Sequence, residues 1–170
     1  MKRIYLAGPD VFLPDSKPIF DELKRLAALY DLEAISPLGF NTEGTASAAQ
    51  IYTNNIKLIK SCDAVVANLQ PFRGLVEPDS GTVFETGFAI ALGKPVAGYS
   101  KHTHLTYLQK VIESIGCKIV NGKKCDIFDG HLVEDFGLPM NLMLSCSTPV
   151  FEKSQNAFEW ISAKLHTKHN

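Results

Sequence analysis

What this chain lacks narrows the reading first. It has no surplus of charge: 17 Lys and Arg face 18 Asp and Glu, a net charge of −1 over 170 residues. Both signs are spread along the sequence, which leaves no basic field for nucleic acid and no polybasic arm for a membrane surface. No apolar run approaches the ~20 residues of a membrane span. Only Lys2 and Arg3 lead into the first strand-like segment, so no signal peptide is expected. The four cysteines, Cys62, Cys117, Cys125 and Cys146, show no C-x-x-C spacing. They read as reduced, mostly structural thiols of a cytosolic protein.

Cofactor signatures are missing as well. No G-x-G-x-x-G follows the first strand, which argues against a dinucleotide. No G-x-x-x-x-G-K-[ST] occurs, so a P-loop nucleotide site is not expected. No serine sits in a G-x-S-x-G elbow, and serine-based nucleophilic catalysis has no support. His102 and His104 are the one close histidine pair, and they have no Cys or carboxylate companions. Neither a metal nor another cofactor is expected.

What is present is a chain that is 45% hydrophobic and long enough for one domain, expected to span residues 1–170. Strand-like segments at 3–7, 33–37, 63–69 and 95–99 alternate with helical periodicity over 17–30, 48–60, 83–92 and 105–115. Residues 118–120 read as an edge strand, 149–166 as a closing helix, and 39–45, 70–78 and 121–137 as loops. The run from Asp63 to Leu69 is apolar almost throughout, as a strand covered on both faces should be. The pattern implies a single-domain, doubly wound, largely parallel five-stranded sheet with helices on both faces, of flavodoxin-like or Rossmann-like type. In such a sheet, ligands bind at the C-terminal ends of the strands.

The chain is organised around the segment from Pro78 to Pro95. Its helical body, Val83, Phe84, Phe88, Ala89, Ile90, Ala91 and Leu92, is apolar nearly all round, which predicts a helix enclosed by protein. Into it the sequence puts Glu85, with Asp79 at the entrance. Two readings stand. Thr82-x-x-Glu85 matches a capping box, in which Glu85 would satisfy a backbone amide, and Asp79 would be a cap or turn residue. Alternatively, Glu85 is held ionised near a helix N-terminus and attacks an electrophilic carbon. Other groups fall at strand C-termini: Asp10 after the first strand, with aromatic surface from Phe12 and Phe72. Asp63 opens the third strand, at the far edge, unless that strand starts later. Acids, aromatic walls and no cation beyond Arg73 suit a neutral, polyhydroxylated, planar ligand such as a nucleoside.

Four segments then carry a resemblance: Tyr5-Leu6-Ala7-Gly8-Pro9-Asp10-Val11-Phe12, Asn68-Leu69-Gln70-Pro71-Phe72-Arg73-Gly74, Asp79-Ser80-Gly81-Thr82-Val83-Phe84-Glu85-Thr86-Gly87 and Asn141-Leu142-Met143. In this order they resemble the nucleoside 2-deoxyribosyltransferase family. The resemblance implies exchange of the base of a 2′-deoxynucleoside for another purine or pyrimidine base, without cofactor. By it, Glu85 is the nucleophile and Tyr5 its orienting partner, and Asp63 assists proton transfer at the base. Asp79 holds sugar hydroxyls, while Gly8, Asp10, Phe12 and Phe72 belong to the substrate-binding set. Asn141 serves the sugar site of a neighbouring subunit, which implies a homo-oligomer, dimer or hexamer. Two rival readings stand beside this one. One is an N-glycoside hydrolase of deoxynucleoside 5′-monophosphates, which Asp79 disfavours because it would repel a phosphate. The other is a nucleoside-binding module without turnover.

Overall fold

A computed structural model describes residues 1–37 and 46–167, so the loop expected over 39–45 lies outside the described residues. The first half of the chain runs β1 (Lys2–Ala7), a 3₁₀ turn (Pro9–Phe12), α1 (Lys17–Ala28), β2 (Leu32–Ile35), α2 (Ala48–Ser61), β3 (Ala64–Asn68) and α3 (Ser80–Ala91). It continues with β4 (Val96–Tyr99), α4 (Tyr107–Ser114), β5 (Cys117–Val120), β6 (Lys123–Asp126), α5 (Leu142–Ser147), β7 (Val150–Phe151) and α6 (Ser154–His166). Local chemistry sets several boundaries. Ser47 and Gln50 form a capping box at the start of α2, and Pro18 occupies the first turn of α1.

Five strands form one parallel sheet in the order β2-β1-β3-β4-β7. The two-residue side-chain period of the strands sorts the core into two layers. Ile4 and Leu6 of β1 face α1 and α6, packing with Phe20, Leu23, Phe158 and Ile161. Tyr5 and Ala7 face the opposite way, toward Ile59 of α2 and Ala89 of α3. The sheet is doubly wound, as the alternation of strands and helices predicts. From β1 the chain steps outward to β2, then crosses to β3 on the other side of β1. That reversal opens a crevice at the C-terminal ends of β1 and β3.

The fifth strand is not the expected one. Residues 118–120 belong to β5, which pairs antiparallel with β6 in a separate two-stranded hairpin. The turn residues Asn121 (φ 51°) and Gly122 (φ 76°) both lie in the left-handed region. An Asn-Gly pair there makes a tight hairpin turn, and Ile119 is left 66% exposed. The sheet is completed instead by β7, which is two residues long and lies within the segment read as a closing helix. That helix, α6, begins only at Ser154. The helix α3 also differs from expectation: its inner residues Thr82, Thr86 and Ala89 are buried, but Phe84 is 51% exposed. Its outward row carries apolar or small residues and no charge.

Candidate active site

The site begins with β1. Because Tyr5 alternates with Ile4 and Leu6, its ring enters the layer beneath α3 and is fully buried. At the tip of that ring, the Tyr5 hydroxyl donates a hydrogen bond to Glu85 Oε1 at 2.7 Å. The hydroxyl thus reaches from the sheet to the first half of α3.

Asp79 is the N-cap of α3, and its Oδ2 accepts from both the backbone N–H (2.8 Å) and the hydroxyl (2.9 Å) of Thr82. This geometry decides the capping question. Thr82 lies inside the helix as a donor to the cap, so no Thr82–Glu85 capping box exists, and Glu85 follows one turn later. The orphan amides at the helix start are served by Asp79, as its cap reading predicts. Glu85 is therefore a carboxylate with a tyrosine partner and no backbone donor among its hydrogen bonds.

Burial pushes the Glu85 carboxyl up to about 7; the Tyr5 hydrogen bond pulls against this, and the negative charge of Asp79 adds to the rise. The sequence predicts a glutamate held ionised by the helix N-terminus. Instead, desolvation outweighs the Tyr5 hydrogen bond and brings the group near neutrality. Tyr5 moves far above its ordinary range, first by burial and then by the facing Glu85 charge. It stays a protonated donor at any physiological pH.

Glu85 borders a cavity of about 160 Å³ that Gly8, Phe12, Asp79 and Thr82 also line. A second cavity of about 230 Å³ adjoins it and shares Ile51, Asn55, Gly81 and Glu85. Gly8 has a steric reason to be glycine: a Cβ there would come within 2.8 Å of Asn68 Cβ. Asp10 supports this loop from behind, accepting from Asn68 Nδ2 at 2.9 Å and tying the end of β1 to the end of β3. Phe72 also stands behind the wall, its ring stacked on Phe12 at 5.1 Å with the Arg73 guanidinium 4.7 Å from the Phe72 centroid. Tyr5, Gly8, Phe12, Asp79 and Glu85 thus converge, while Asp10 and Phe72 brace the residues that line the cavity.

Two predicted site residues lie elsewhere. Asp63 precedes β3, at the N-terminal edge of the sheet. Its carboxylate accepts from the Arg3 amide at 2.8 Å and from Lys2 Nζ at 3.3 Å. Burial there raises the Asp63 carboxyl, but the Arg3 amide and the Lys2 ammonium outweigh it and hold the group below its ordinary value. The proton-transfer role implied for Asp63 is corrected by this placement, since β3 starts no later than its apolar run and the whole sheet separates the two ends. Asn141 caps α5 and lines a different cavity, of about 600 Å³, with Thr86, Gly87 and Ile90 of α3. In its own chain it does not share the cavity that Glu85 borders.

Asn55 is the lining residue that sequence reasoning missed. Its signal was visible: Thr53-Asn54-Asn55 sets poor helix formers inside the unbroken helix α2, and the third of these lines the Glu85 cavities. Among the described residues, no cluster of three or more His, Cys, Asp or Glu could hold a metal ion. Also among them, no helix is long and apolar enough to cross a membrane.

The arrangement finds its counterpart among known proteins. Residues 4–143, from β1 through the Asn141 turn, match the model of the family described as nucleoside 2-deoxyribosyltransferase. The chain belongs to this family. A 2-deoxyribosyltransferase from Leishmania mexicana is 36% identical, with 100% of each chain covered and a TM-score of 0.77. The 2-deoxyribosyltransferase of Bacillus psychrosaccharolyticus shares the fold at 19% identity, with a TM-score of 0.56 over 92% of this chain and 90% of that one. An uncharacterised protein of Schizosaccharomyces pombe is 32% identical over 114 residues, which is 64% of this chain and 54% of that protein. The chain thus spans about half the length of that curated relative. Members of the nucleoside 2-deoxyribosyltransferase family are pentosyltransferases, and the sheet and helices described above are their fold.

Proposed function

We propose that this chain is a nucleoside 2-deoxyribosyltransferase working by double displacement through Glu85. The observation that carries the reading is the 2.7 Å hydrogen bond from the buried Tyr5 hydroxyl to Glu85 Oε1, at the sheet's switch point. With Oε1 pinned by Tyr5, Oε2 is the oxygen assigned to the attack. An ionised Glu85 attacks C1′ of the deoxynucleoside; the C1′–O bond forms as the C1′–N bond breaks, and the base leaves as its nitrogen takes a proton from solvent. A second base then attacks C1′ through a ring nitrogen and gives its N–H proton to solvent, which breaks the ester and frees Glu85. Two inversions give net retention, as in retaining glycosidases. The Tyr5 donor stabilises carboxylate both before attack and after departure.

Among the described lining residues of the Glu85 cavities, Asp79 is the other carboxylate. Its Oδ2 is tied to Thr82, and the carboxylate reads as an acceptor for sugar hydroxyls. The planar base lies against Phe12, with Asn55 as its polar contact. The oxocarbenium-like transition state is destabilised inductively by a 2′-hydroxyl, so deoxyribose is the favoured donor. Asn141 belongs to the site of a second copy, a reading supported by its place on the other side of α3 from Glu85 and by the uncharged outward face of α3. In the cell, the reaction serves nucleoside salvage in the cytoplasm.

A base-exchange assay tests the reading. A deoxynucleoside is incubated with a different free base, and the products are separated with and without that acceptor. A new deoxynucleoside that appears only with acceptor, and vanishes in Glu85→Ala, supports the proposal. Release of free base alone from a 5′-monophosphate would replace it with hydrolysis, and saturable binding without turnover would replace it with a binding module.

A further inference from the structure

Resting on the reading that Asn141 serves a neighbouring site, we infer that Glu134 is the positioning residue that fixes which way the Asn141 amide points. The Asn141 side chain is held at both ends. Its Nδ2 donates to Glu134 Oε1 at 2.7 Å, and its Oδ1 accepts from the Met143 amide at 2.9 Å. An ionised glutamate can only accept, and a backbone N–H can only donate. Turning the Asn141 amide over would set oxygen against carboxylate and NH₂ against N–H, so both ends resist the flip. One N–H and one lone pair of Asn141 remain to be offered to a ligand, each at a defined place.

Glu134 is itself anchored on both sides. Its second oxygen, Oε2, accepts from the Leu142 amide at 2.8 Å. The preceding Val133 amide donates to Lys124 O at 3.0 Å, and the following Asp135 pairs with Lys124 Nζ at 2.7 Å. Both bonds run to β6. The β5–β6 hairpin therefore holds the segment that carries Glu134, which gives this appendage a task the main sheet does not explain. From the other side, the buried Lys110 ammonium donates to Pro139 O at 2.7 Å, and Ser145 Oγ donates to Met140 O at 3.0 Å. The turn before Asn141 is thus tied down at Pro139 and Met140.

A capping role alone would make Glu134 a structural residue, and Glu134→Gln separates the two. Glutamine keeps an oxygen for the Leu142 amide, so the helix start survives, but its NH₂ then faces Asn141 Nδ2 and removes the preference for one amide orientation. The experiment is base exchange by the full chain, measured for Glu134→Gln, Asn141→Ala and the double variant, with Tm for each. The expected result is a loss of about tenfold in kcat/KM for Glu134→Gln, the size of one hydrogen bond. That loss falls mainly on KM for the deoxynucleoside, with Tm unchanged. The double variant is expected to be no worse than Asn141→Ala, because Glu134 acts through Asn141. Unchanged kinetics in Glu134→Gln beside an impaired Asn141→Ala would overturn the inference, as would losses that multiply in the double variant. Wild-type kinetics in Asn141→Ala would instead refute the reading of Asn141, and absence of exchange by the wild type would refute the transferase itself.

Discussion

Tyr5→Phe removes one oxygen from a fully buried ring and leaves the packing around it in place. The lost atom is the partner of Glu85 Oε1 at 2.7 Å. A hydrogen bond to a charged group contributes about 1.5–3 kcal/mol, and one pH unit of pKa corresponds to 1.36 kcal/mol. The bond favours ionised Glu85, so its removal raises the carboxyl further from about 7, by about one to two units on these figures. Attack needs the ionised form. The acid limb of kcat/KM against pH is therefore expected near 7 in the wild type and about one to two units higher in Tyr5→Phe. At pH 7, where the wild-type group is about half ionised, the variant is expected to lose on the order of 5- to 50-fold, recovering much of this at alkaline pH. The assay is base exchange from pH 5 to 9.5, with near-ultraviolet circular dichroism to confirm the fold. An acid limb that stays in place or moves down would refute the argument, because it would mean that the Tyr5 hydroxyl does not stabilise the reacting carboxylate.

The same carboxyl makes stability depend on pH. A group raised from 4.5 to about 7 on folding binds its proton more tightly when folded, so its stabilisation is complete at acid pH and lost as pH rises through the folded value. The unfolding free energy of the wild type is expected to fall by about 3 kcal/mol across that window relative to Glu85→Gln; parallel curves in denaturant titrations would contradict this. Asp63→Asn is expected to cost about 1 kcal/mol through its bonds to Arg3 and Lys2, with kcat/KM within about twofold of wild type. A collapse of kcat/KM would return Asp63 to the site. Glu85→Gln and Asn141→Ala are each expected to lose most activity alone. Co-expressed, they should recover activity, because a mixed assembly holds one site with both native residues, and activity no greater than the sum of the two would place Asn141 in its own chain's site.

Much of the layout was legible in sequence because desolvation dictates composition. A strand covered on both faces must be apolar along its body, as it is from Ala64 to Ala67, and α3 must end where Gly93 and Pro95 stop it. Tyr5, Glu85, Asp79 and the close-packed Gly8 were readable because their motif is dense and lies at strand ends. Other features were hidden for physical reasons. β7 is too short to show a period, and its role comes from pairing with β4. The Asn121-Gly122 hairpin turn carried a strong local signal that the edge-strand reading of 118–120 overrode. The capping box of Thr82 and Glu85 fits in sequence, yet Asp79 reaches the helix start first. Asp63 fell outside the site because a carboxylate at a strand's beginning is separated from the strand's far end by the sheet itself. Nothing local in the sequence marks Glu134, whose partners lie at Asn141 and Leu142 across an irregular loop.

The central claim is the ester between Glu85 and C1′. Its direct measurement is intact mass and peptide mapping of protein mixed with a deoxynucleoside and no acceptor base, quenched in acid. The account predicts a gain of one deoxyribosyl group, carried by the peptide that contains Glu85, absent in Glu85→Gln and discharged when a free base is added before the quench. Base exchange that proceeds with no adduct on that peptide, or with the adduct on another residue, would contradict it.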